Sequence, residues 1–246
     1  MATTSVVSVP VAGLLAPAKS VGTRAYFSGI LKTAWNKYGK FFQQASETSK
    51  IPVPILFSWA FVESSFNPKA NAGYSMVDID GSSYKSTAGM MQWDRRSGYA
   101  DAVLTREFKL GRMSEVEKEI LKRKGVKWTT AGVFSPITVT QALDPELNIL
   151  IGSIYLGQYA DSITGKGQQP AFATEDGVLR IDRIIPLYNT GENSTDSKNA
   201  LSKKFKTALE TANNASKTVT SDYIHKILGK NGTMDVLTKE LKDIVK

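Results

Sequence analysis

The chain has 246 residues, 41% of them hydrophobic and 22% charged, the composition of a folded protein long enough to build its own core. It has no cysteine and a single histidine, His225, so disulfides, thiolate metal sites, cysteine nucleophiles and two-histidine metal motifs are excluded. The net charge of +8 is dispersed rather than gathered in one tract, and it suits an anionic partner such as nucleic acid, an acidic membrane surface or a bacterial wall.

Met1 to Ser20 is mildly apolar, has no basic residue before Lys19 and carries Pro10 and Pro17, so it reads as a lead-in rather than a secretory signal. No apolar run approaches the ~18–20 residues of a membrane span. Phe27, Ile30, Leu31, Ala34, Trp35, Tyr38, Phe41, Phe42 and Ala45 recur at helical spacing and predict an amphipathic helix over 24–46. From Pro52 and Pro54 the residues Ile55, Leu56, Phe57, Trp59, Ala60, Phe61 and Val62 are apolar all round, the pattern of a buried helix, with Asn67–Pro68 as its stop. Residues 74–93 lose the helical period, and Asp80–Gly81 between short alternating stretches predicts a small hairpin.

Ser114 and Glu117 form a capping-box pattern opening a charged helix to about Lys124. Asp144–Pro145 opens another, with Leu147, Leu150, Ile151, Ile154 and Tyr155 on its apolar side. Gly165 to Gly177 reads as a loop, and Arg180 to Leu187 as a short apolar helix. Gly191 to Ser197 reads as a polar boundary. Three further helical patterns follow: Leu201, Phe205, Leu209; then Tyr223, Ile224, Ile227, Leu228; then Met234, Leu237, Leu241, Ile244. The fold class is therefore mainly α with one small β-hairpin or sheet. The expected division is 1–48 as lead-in and first helix, 49–193 as the main domain, and 194–246 as a helical extension.

Glu63 stands in the last turn of the most apolar helix, where a carboxylate is unusual. Burial and the negative end of the helix dipole both favour its protonated form, and a protonated glutamic acid can donate to a leaving oxygen. With cysteine absent and histidine solitary, the composition leaves carboxylates, hydroxyls, amides and lysines for any chemistry. His225 lies on a helical pattern far along the chain and reads as structural.

Four clusters occur in order: Glu63-Ser64-Ser65-Phe66-Asn67-Pro68, Ala88-Gly89-Met90-Met91-Gln92, Asn148 to Leu156, and Leu187-Tyr188-Asn189-Thr190-Gly191. Together they resemble the four motifs of the soluble lytic transglycosylase domain, related to goose-type lysozymes, over roughly residues 50–193. The resemblance implies a lysozyme-like α+β fold, with helices around a substrate cleft, that cleaves the β-1,4 bond between N-acetylmuramic acid and N-acetylglucosamine in peptidoglycan. It assigns Glu63 as the catalytic acid and Tyr188 as the tyrosine beside it. Ser64, Met91, Gln92, Asn148 and Asn189 are assigned to substrate binding or support of the acid. It implies no cofactor and no metal. Glu63 and Gln92 lie 29 positions apart, and Gln92 and Asn148 lie 56 apart. Both spacings are longer than in compact members, which marks 95–143 as an insertion.

Three functions follow from this reading. The first is a transglycosylase, whose single carboxylate acts as acid and then as base for the sugar's own 6-hydroxyl. The second is a goose-type muramidase, for which Asp78, Asp80 or Asp94 would have to supply a second carboxylate. The third is a virion structural protein that keeps the fold without the activity. The expected partner is a peptidoglycan glycan strand, with virion proteins as further partners and neither nucleic acid nor an integral membrane segment. The expected location is a phage virion acting on the host wall, the alternative being the bacterial periplasm.

Overall fold

The computed structural model describes residues 24–78, 81, 83–163, 173–175 and 178–240. The lead-in, Asp80, most of the 165–177 loop, Leu241 and Ile244 lie outside the described residues. The elements run α1 (Arg24–Ser49), α2 (Val53–Ser64), β1 (Asn71–Val77), β2 (Ser83–Ala88), β3 (Trp93–Asp94), α3 (Ala100–Lys109), α4 (Glu115–Arg123), α5 (Val139–Leu143) and α6 (Pro145–Ala160). They continue with β4 (Thr174–Glu175), β5 (Val178–Leu179), α7 (Ile181–Thr190), α8 (Thr195–Leu201), α9 (Ala208–Asn213), α10 (Thr218–Leu228) and α11 (Thr233–Glu240). The protein is mainly α, with an antiparallel β1-β2-β3 meander and a two-stranded β4-β5 ribbon. Among the described residues no helix is long and apolar enough to cross a membrane.

The chain divides into two compact units. One comprises Asn36–Tyr155; the other joins the described residues up to Trp35 with those from Leu156 onward. In the first unit, Ile55 to Ala60 of α2 are all buried, as an all-round apolar helix requires. Phe42, Phe57 and Phe66 pack beside it, with ring centroids 5.0 Å apart for Phe42–Phe57 and 4.5 Å for Phe57–Phe66. The stretch expected as an insertion holds α3, α4 and α5. Two of the three had no counterpart in the reading of periodicity, because α3 lacks a side-chain cap and α5 spans only five residues. The Ser114–Glu117 capping box is formed in both directions. Asp144 caps α6 by accepting the Leu147 N–H at 3.0 Å, with Pro145 in the first turn.

In the second unit, α8, α9 and α10 pack on α7, so the residues after 193 are part of the unit that contains α7. The single helix expected over Leu201, Phe205 and Leu209 is broken. α8 ends at Leu201, Lys203 takes a φ of 53°, and a Thr207–Glu210 capping box starts α9. A buried ionic cluster holds this break against the start of α7. The Arg180 guanidinium donates to both carboxylate oxygens of Asp182, at 2.9 and 2.8 Å, and to the Lys206 carbonyl at 2.6 Å. Thr211 donates its hydroxyl to the same Asp182 at 2.6 Å.

Candidate active site

Glu63 occupies the last turn of α2 and is half-buried. The helix stops just after it. Ser65 and Phe66 both turn left-handed, with φ of 52° and 61°, and their N–H groups donate back to the carbonyls of Phe61 and Ala60. Two successive non-glycine residues in this region cost on the order of 1–3 kcal/mol each. The ring of Phe66, 5% exposed among Phe42, Phe57 and Phe61, holds the strained backbone in place. The expected stop at Asn67–Pro68 therefore comes earlier. Asn67 instead closes a turn, its side chain accepting the Lys69 N–H at 3.0 Å.

Ser64 donates its hydroxyl to the carbonyl of Met90 at 2.8 Å, and Ala60 shares the same proton at 3.1 Å. This bond couples the turn carrying Glu63 to the Gly89–Gln92 turn between β2 and β3. That second turn is shaped by Gly89, whose φ is +78°. A Cβ there would stand 2.2 Å from the Asn148 side-chain nitrogen and 2.4 Å from the Ala142 carbonyl. Only glycine fits.

Asn148 explains the close approach. It is fully buried in the first turns of α6 and uses its whole amide. Its oxygen accepts the Met91 N–H at 2.7 Å, and its nitrogen donates to the carbonyls of Ala88 at 2.9 Å and Ala142 at 2.8 Å. The Asn148 carbonyl in turn accepts the Trp93 indole N–H at 2.9 Å. Three sequence clusters, 63–66, 88–92 and 148–156, thus meet in one hydrogen-bonded knot. Met91 is also fully buried, packed where Gly152 leaves no room for a Cβ. Neither Met91 nor Asn148 has surface to offer a ligand, so the direct contact expected of them gives way to positioning.

Gln92 is half-buried with a φ of 50°, the third left-handed non-glycine residue around this knot. Its side-chain nitrogen donates to the carbonyls of Gly89 at 2.7 Å and Ala70 at 3.0 Å, and its oxygen accepts the Thr87 hydroxyl at 3.5 Å. Of the carboxylates considered as partners for Glu63, the two among the described residues, Asp78 and Asp94, are paired with arginines. The Asp78 carboxylate is buried with Arg95 at 3.2 Å and accepts the Val139 N–H; the Asp94 oxygens share the single Arg96 Nε–H, at 2.9 and 3.0 Å. The hydrogen bond that Arg96 donates to Asp94 keeps its guanidinium protonated even more firmly than usual, despite partial desolvation.

Tyr188 and Asn189 belong to the other compact unit, in the last turn of α7, and both are half-buried. The Tyr188 ring meets Tyr159 edge-on at 6.4 Å, and the Asn189 side-chain nitrogen donates to the Thr220 hydroxyl at 3.4 Å. Among the described residues no acidic or histidine cluster could hold a metal ion. The residues that the sequence reading passed over are Gly89, as the contact partner of Asn148, and Ala142, as its acceptor. Thr138-Val139-Thr140-Gln141 is a capping-box pattern, formed in both directions, and would have revealed α5 and with it the Ala142 carbonyl. No protein-family model matches the chain, and no curated protein shows significant similarity to it.

Proposed function

We propose that the protein is a peptidoglycan lytic transglycosylase in which Glu63 carries the proton. The observation that carries this reading is the knot itself. Clusters lying 29 and 56 positions apart in sequence are joined through Ser64 and Asn148 around the helix end that bears Glu63. Backbone strain concentrated at Ser65, Phe66 and Gln92 supports it, because such strain is retained where a site needs it.

In the proposed reaction the Glu63 carboxyl gives its proton to the glycosidic oxygen as the bond from that oxygen to the muramic C1 breaks. The glucosamine chain leaves as an alcohol. The 6-hydroxyl of the same muramic residue then bonds to C1, and its proton passes to the Glu63 carboxylate, which restores the acid. No water is consumed, and the product ends in a 1,6-anhydro ring. Attack from a tethered hydroxyl has a large effective concentration, so a second carboxylate is unnecessary. The engagement of Asp78 and Asp94 with arginines favours this outcome over a water-activating muramidase. The Tyr188 hydroxyl is assigned to the reaction by the motif resemblance alone.

Glu63→Gln is the direct test of the acid. It keeps the shape and removes the proton, so lysis of purified sacculi should fall by roughly 10²–10⁴-fold with folding intact. Clearance at the wild-type rate would refute the assignment.

A further inference from the structure

We propose that one face of the β1-β2-β3 sheet is a glycan-binding track running from Gln92 to a platform of Tyr74, Arg96 and Tyr99. The identity of the ligand rests on the glycan-cleaving reading above; the track itself rests on the register of the sheet. Thr87 lies opposite Asp94, and Lys85 opposite Ser75. Alternate residues of a strand share a face, so Lys85 and Thr87 line up with Asp94, and Arg96, just past the end of β3, is ion-paired to Asp94. All four are half-buried, whereas Ser86, Ala88, Trp93 and Arg95 on the opposite face are 2% exposed or less. The accessible face begins at the candidate site, where the Thr87 hydroxyl reaches the Gln92 amide oxygen at 3.5 Å.

A β-bulge brings an aromatic residue onto this face. Between Ala72 and Ser75 two residues of β1 oppose Ser86 alone. Gly73 takes a φ of +81°, and a Cβ there would stand 2.3 Å from the Ser86 hydroxyl. That hydroxyl instead accepts the Tyr74 N–H at 3.0 Å. Bulges of this kind re-aim side chains beside functional sites. The result is a guanidinium held against two rings: Arg96 lies 4.9 Å from the centroid of Tyr74 and 4.6 Å from that of Tyr99. As residues, Tyr74 and Tyr99 remain 70% and 46% exposed.

The chemistry fits a pyranose. A sugar ring has an apolar C–H face that stacks on an aromatic ring and a rim of hydroxyls that needs donors and acceptors beside it. Tyr74 and Tyr99 offer the faces, and the Asp94–Arg96 pair offers both donors and acceptors. Because that pair is neutral overall, the platform favours an uncharged polyol over an anionic polymer. The cation–π contacts and the ion pair also fix the side chains before binding, which lowers the entropy lost when a ligand arrives.

The test is binding of the full chain to purified peptidoglycan sacculi, using Glu63→Gln so that the glycan stays intact. Adding Tyr74→Ala and Tyr99→Ala together should weaken binding about tenfold, since each stacked ring contributes a few-fold. Tyr74→Phe with Tyr99→Phe should stay within about twofold of the parent, and soluble β-1,4-linked N-acetylglucosamine oligomers should compete. Tyr74→Ala alone, at the more exposed position, should weaken binding about threefold without shifting the urea midpoint. Unchanged binding by the double alanine variant, or no sacculus binding by the parent, would overturn the track. Cleavage by the wild-type chain is measured separately: tyrosine-dependent binding without cleavage would refute the transglycosylase reading and leave the track standing.

Discussion

Truncating Asn148 to alanine should cost the protein a large part of its stability. The side chain is fully buried and makes three hydrogen bonds, to Met91, Ala88 and Ala142. The Met91 N–H has a single proton to donate, and leaving it buried without an acceptor costs about 1–3 kcal/mol. The carbonyls of Ala88 and Ala142 each keep a second lone pair, so their losses are nearer ~0.5–1.5 kcal/mol apiece. The sum is about 4 kcal/mol, against a total stability of roughly 5–15 kcal/mol for a natural domain. Asn148→Asp sharpens the argument. It keeps the acceptor for Met91 but turns the donor toward Ala88 and Ala142 into an oxygen, placing buried charge against two carbonyls. It should be at least as destabilising as alanine. Urea unfolding at neutral pH measures both, read as a shift in midpoint at unchanged slope. A loss below about 1 kcal/mol in either variant would refute the knot as the element holding these three segments together.

Gly89→Ala should destabilise by about 2 kcal/mol or more, because the new Cβ meets both the Asn148 amide and the Ala142 carbonyl at a positive φ; urea midpoints check it. Tyr188→Phe should lower turnover on sacculi more than apparent affinity, and a change confined to KM would make this tyrosine a binding residue only. The Arg183 guanidinium, with Arg180 beside it, holds the Glu175 carboxyl below the usual carboxylate range, outweighing some desolvation. Its stabilising effect is therefore full above the unfolded-state pKa of about 4.3 and is lost as pH falls through the lower folded-state value. Glu175→Gln should accordingly be less stable than wild type at pH 7, with the gap closing in melting temperatures taken from pH 5 down to pH 2.

Much of the framework was legible because it depends on local rules. The all-round apolar α2, the Ser114–Glu117 box and the Asp144–Pro145 start of α6 each appear where their residues place them. The break between α8 and α9 was not legible from Leu201, Phe205 and Leu209. Their spacing fits a helix, but the Thr207–Glu210 cap and the tie from Arg180 to the Lys206 carbonyl draw the backbone out of it. In the site, sequence pattern identified which residues belong together but not what each does. Asn148 and Gln92 were expected to face a ligand, yet their amides are spent largely on backbone groups brought close by Gly89 and Ala142, a tertiary fact that no spacing encodes. The Tyr74–Arg96–Tyr99 platform was hidden for a similar reason, because a one-residue bulge determines which face Tyr74 takes.

The end group of the product tests the central claim most directly. Purified peptidoglycan digested by the wild-type chain, reduced with borohydride and analysed by mass spectrometry should yield muropeptides ending in 1,6-anhydromuramic acid. These products have no reducible end and are lighter by one water than hydrolysis products. The Glu63→Gln variant should release them roughly 10²–10⁴-fold more slowly. A digest containing only reducible muropeptides would contradict the transglycosylase account in favour of hydrolysis, and intact glycan after exhaustive incubation would contradict catalysis by Glu63 altogether.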